Sequence, residues 1–138
     1  MTVSAFHRLR LELLVAECAH RITPLQASGV LAAYDRLAGL AGDGSIATRA
    51  QAYGDYFYRI ADAAAPDTGH RQAVEAFLAD TRDMVAAYAR LQMQRRPPDP
   101  DDPLAKLARA LMSGRAEAAG DAFLEHLDDL WAARPFQA

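Results

Sequence analysis

The chain has little of what builds β-sheets, disulfide scaffolds or membrane spans. Its 138 residues include a single cysteine, Cys18, so no internal disulfide can form. One free thiol suits a reducing compartment, and a cytoplasmic protein is expected. β-branched residues are few, and no segment carries a strand signal. No apolar run approaches the roughly 20 residues that cross a bilayer, so no membrane association is expected. Residues 1–20 carry Arg8, Arg10, Glu12 and Glu17, which excludes the apolar core of a signal peptide. Positive charge is not in excess either. The formal net charge is -3, against a dedicated nucleic-acid surface, which is normally basic.

What is present favours helix. Hydrophobic residues make up 51% of the chain, with alanine and leucine foremost, and Asp, Glu and Arg fill much of the rest. The length suits one domain, residues 1–138, with a core of its own. About six helices with short connections are expected, packed as an all-α antiparallel bundle. The first spans 4–22 with Ser4 as cap. Leu11, Val15, Ala19 and Ile22 make one stripe on it, and Leu9, Leu13 and Ala16 make a second. Thr23-Pro24 opens the second helix, which passes through Leu25, Val30, Leu31, Tyr34 and Leu37 to about Ala41. Gly42-Asp43-Gly44 is a break, and Ser45 caps a central helix over 46–65, closed by Pro66-Asp67. A long helix over 69–95 follows, with Val74, Phe77, Leu78, Thr81 and Met84 in its core stripe. Four prolines between Arg95 and Pro103 form a linker. A short helix over 103–112, a Ser113-Gly114 break and a last helix over 115–133 complete the chain.

The central helix carries the most aromatic run, Tyr53-Gly54-Asp55-Tyr56-Phe57-Tyr58, and Gln51, Gly54 and Tyr58 share one of its faces. Elsewhere the chemistry is sparse. No two of His7, His20, His70 and His126 are three or four residues apart, so no one helix offers a histidine pair to a metal. Cys18 sits mid-helix between Glu17 and Ala19 and reads as a buried, inert thiol. Arg90, Arg95 and Arg96 read as a solvated helix end. Arg8 and Glu12 are four apart. They make either an exposed ion pair or, with Arg8 turned inward, a cation above a cavity.

The order of these motifs resembles the FCD-type effector-binding domain of GntR-family bacterial transcription regulators. Arg8-Leu9-Arg10-Leu11-Glu12 is similar to that family's opening helix, Thr23-Pro24-Leu25 to the entry of its second, and Tyr53 to Ala65 to its central helix. Ala110-Leu111, Ser113-Gly114 and His126-Leu127 match its closing pair. The family holds a divalent metal with one Asp and three His. The resemblance puts the first two ligands at Gly54 and Tyr58 and the next near Leu104, and retains only His126. Asp55 points about a hundred degrees from Gly54's face. One imidazole cannot hold a transition metal, so no metal and no other cofactor is expected. The family's winged-helix domain has no counterpart before this region, so no direct DNA binding by the chain is expected.

The resemblance then implies a metal-free cavity lined by Gln51, Gly54, Tyr58 and Leu104, with Arg8 and His126 as polar groups. Its expected ligand is a small organic molecule, with Arg8 available to a carboxylate. Two other readings stay open. His126, Tyr58 and Arg8 would be the working groups of a metal-independent enzyme for cyclisation, dehydration or isomerisation. Alternatively, Tyr58 and Leu104 fill the old metal site, and the bundle serves as a dimerisation domain through faces including Trp131 and Phe136. A homodimer is expected from the resemblance in any case.

Overall fold

A computed structural model describes residues 5–39, 46–64, 68–82 and 102–133. Among them are six helices and no strand: α1 Ala5–Arg21, α2 Pro24–Gly39, α3 Ile46–Ala64, α4 Thr68–Asp80, α5 Pro103–Met112 and α6 Ala116–Ala133. The all-α bundle is as expected. Ser4, Gly42-Asp43-Gly44, Ser45, Pro66-Asp67, the arginines at 90, 95 and 96, most of the proline linker and Phe136 lie outside the described residues.

Local chemistry sets the helix ends. The Gln26 backbone N–H donates to Thr23 Oγ1 at 3.2 Å, and the Thr23 N–H donates to Gln26 Oε1 at 2.9 Å. This reciprocal pair satisfies two otherwise orphaned donors at the start of α2. Asp102 does the same for α5, its carboxylate accepting from the Leu104 N–H at 2.9 Å, with Pro103 in the first turn. Gly114 ends α5 with φ 66, a left-handed conformation that glycine adopts without steric penalty.

Two expectations need correction. The helix expected over 69–95 does not run unbroken: α4 ends at Asp80 and Thr81 is a turn, while residues 83–95 lie outside the described residues. Buried Thr81 donates its hydroxyl back to the Phe77 carbonyl at 2.8 Å. The same carbonyl also accepts the Thr81 backbone N–H at 3.0 Å, and a hydroxyl bond of this kind is often found where helices bend. Second, α1 buries one face, not two. Leu11, Leu14, Val15, Cys18 and Ala19 are in the core, whereas Leu9 and Leu13 are exposed.

α3 packs against α1, α2 and α4, while α6 packs against α1 and α5. The core between them is aromatic. Phe57 is at its centre, with ring centroids of Tyr53, Tyr56 and Phe77 at 5.1, 5.2 and 5.4 Å and that of Phe123 at 6.2 Å. Tilted and edge-on pairs of this kind add to the burial of apolar area.

Candidate functional site

The α3 helix sends two adjacent faces in two directions. Tyr53 and Phe57, four residues apart, face α6. Their ring centroids lie 5.4 and 6.0 Å from His126. The Tyr53 hydroxyl and His126 Nε2 share a hydrogen bond of 2.5 Å, with both side chains buried. Burial disfavours the imidazolium and pushes the His126 pKa down to about 3. The ring is therefore neutral near pH 7.

One residue further on, Gly54 and Tyr58 face α4. A Cβ on Gly54 would lie 3.3 Å from Leu78 Cδ1, so the missing side chain lets the two helices approach. Tyr58 is half-buried, with the Arg71 guanidinium 4.7 Å from its ring centroid. Burial first, then the charge of Glu75, raises the Tyr58 pKa, and Arg71 opposes them.

Between these helices lies a cleft of about 250 Å³, lined by Ala50, Tyr53, Tyr58, Glu75, Leu78, Ala79 and Arg82. Tyr53 is its inner wall and joins it to His126. The remaining walls are methyl and aromatic surface, and the charged groups are Glu75 and Arg82. For scale, a dry cavity of about 150 Å³ admits benzene.

The expected site residues are thus not gathered into one cavity. Arg8 is exposed and pairs with Glu12 at 3.5 Å, which settles the two readings of that pair in favour of the surface one. Gln51 is exposed. Leu104 is fully buried, and its carbonyl accepts the Tyr56 hydroxyl proton at 2.6 Å, so it is core and not a cavity wall. Tyr58 lines the cleft between α3 and α4, Gly54 is buried against Leu78 beside it, and His126 lies behind Tyr53. The trio His126, Tyr58 and Arg8 forms no common centre. The reason is a register of one residue. Tyr53 and Phe57 take the His126-facing positions that the resemblance assigned to Gly54 and Tyr58, a rotation of about a hundred degrees.

Among the described residues no group of three or more His, Cys, Asp or Glu is placed to hold a metal. No described helix is long and apolar enough to cross a membrane. The site residues missing from the sequence reading are Glu75, Leu78, Ala79 and Arg82 as a set. Glu75, Leu78 and Ala79 share one face of α4, Leu78 having been read only as part of the core stripe, and Arg82 follows beyond the Thr81 turn.

Comparison with known proteins returns no matching family, no matching curated protein and no matching solved structure.

Proposed function

We propose that the protein is a small-molecule binding module whose ligand occupies the cleft between α3 and α4. The observation that carries this reading is the cleft itself. Apolar and aromatic walls with a few placed charges are the usual composition of an organic-ligand site. Its volume suits a metabolite somewhat larger than benzene. The order of helices and the position of His126 against α3 also support descent from the FCD-type effector domain. In that reading Tyr53 and Phe57 fill the former metal site, and ligand recognition has moved one face around the helix. The module works in the cytoplasm as a homodimer, for which exposed Leu9, Leu13 and Leu25 offer apolar surface.

Catalysis by the Tyr53–His126 pair is less well supported, because His126 is fully buried behind Tyr53 and does not line the cleft. The test of binding is calorimetric titration with benzylamine and with benzoate, repeated on Leu78→Trp. Binding of either probe by the parent, weakened at least tenfold by the indole while the melting temperature is kept, supports the cleft. Binding unaffected by Leu78→Trp places the ligand elsewhere.

A further inference from the structure

The cleft has a polarity that narrows the class of its ligand. Glu75 and Arg82 are seven residues apart in the chain around the end of α4. Glu75 and Ala79 are one turn of α4 apart, about 6 Å along its axis, and Arg82 follows beyond the turn at Thr81. All four of Glu75, Leu78, Ala79 and Arg82 line the cleft, with Glu75 at one end of this run of the chain and Arg82 at the other.

The charges at the two ends differ in sign. Arg71 neighbours Glu75, but its guanidinium donates to both Asp62 oxygens, at 2.8 and 2.9 Å. Arg71, Asp62 and Glu75 together therefore carry one net negative charge. Tyr58 stands beside them, its ring facing Arg71 and its hydroxyl held in the neutral form by burial and by Glu75. At the other end Arg82 supplies a positive charge, and no described carboxylate pairs with it within 4.0 Å. Between the ends the wall is the Tyr53 ring, the Leu78 side chain and two alanines.

We infer that the cleft takes a bipolar ligand, with an ammonium at the Glu75 end, a carboxylate at the Arg82 end and a flat or aliphatic spacer between them. The inference rests on the binding reading above and adds the ligand's class to it. A molecule whose amine and acid share one carbon cannot reach both ends. An ω-amino acid with a spacer of ring length can. Arg82 offers a fork of donors to the acid, and Glu75 accepts from the ammonium.

The experiment uses three probes built on the same benzene ring: 4-(aminomethyl)benzoate, benzylamine and benzoate. Their affinities are measured for the parent chain, Glu75→Gln and Arg82→Gln. The bipolar probe is expected to bind at least tenfold tighter than either singly charged one. Glu75→Gln should weaken the bipolar probe and benzylamine but spare benzoate, and Arg82→Gln should weaken the bipolar probe and benzoate but spare benzylamine. Both residues are exposed, so the variants should retain the parent's melting temperature. If all three probes bind equally and neither variant discriminates, the bipolar assignment is overturned and the binding reading stands. If no probe perturbs the cleft, both are overturned.

Discussion

The hydroxyl of Tyr53 and Nε2 of His126, 73 residues apart in the chain, meet at 2.5 Å inside the bundle. This bond ties the central helix to the last one and makes the back of the cleft part of the core. A buried ring nitrogen that loses such a partner carries a desolvation cost of about 1–3 kcal/mol. Tyr53→Phe is therefore expected to lower unfolding stability by that amount with the helical circular dichroism unchanged. An unchanged denaturation midpoint would mean that the bond contributes nothing net.

His126 also makes stability depend on pH. Its pKa falls from 6.5 to about 3 on burial in the fold. The unfolded chain therefore binds a proton below about pH 6.5 that the folded chain refuses until about pH 3. Stability is full above this window and declines as pH falls through it, by about 1.4 kcal/mol per unit. Carboxylates contribute in the same range, so the comparison is with His126→Gln. Between pH 7 and 4 the parent is expected to lose about 3 kcal/mol more than the variant. Equal losses in denaturant titrations would show that His126 is protonated in the folded state.

Gly120 lies within α6, and nothing stands within 4 Å of the position its Cβ would take. Glycine inside a helix costs about 0.5–1 kcal/mol relative to alanine. Gly120→Ala should raise stability by that amount. Gly54→Ala gains the same propensity but presses on Leu78 at 3.3 Å, so its gain should be smaller and its cleft narrower. Thermal melts of the two variants, and probe affinity for the second, check both statements.

Cys18 is fully buried, and burial followed by the neighbouring Glu17 charge pushes its thiol up to about 12. The thiolate is the reactive form. Modification by a disulfide reagent at pH 8 should therefore be slow in the native protein and become rapid across the unfolding transition. Rapid labelling of the native chain would contradict the packing of α1.

Much of the fold is legible in the sequence because its punctuation is chemical. Thr23-Pro24, Asp102-Pro103 and Ser113-Gly114 each mark a helix end that the structure places within a residue or two. The site is less legible because it depends on which face of α3 turns inward. Tyr53, Tyr56, Phe57 and Tyr58 spread aromatic surface over more than half of that helix's circumference. Apolar periodicity then cannot distinguish the face toward His126 from the face toward α4. The leucines at 9, 11, 13 and 14 blur α1 in the same way. Arg8 could be weighed from sequence because its partner Glu12 lies one turn away. Glu75 and Arg82 could not, because their relation to Tyr58 is tertiary.

The most direct test of the central claim is an amide chemical-shift map of the protein titrated with 4-(aminomethyl)benzoate. Saturable shifts are expected at Ala50, Tyr58, Leu78 and Ala79, with Leu104 and Leu107 little affected. Shifts centred on Leu104 and Leu107 would return the ligand to the middle of the bundle and contradict the assignment of the cleft.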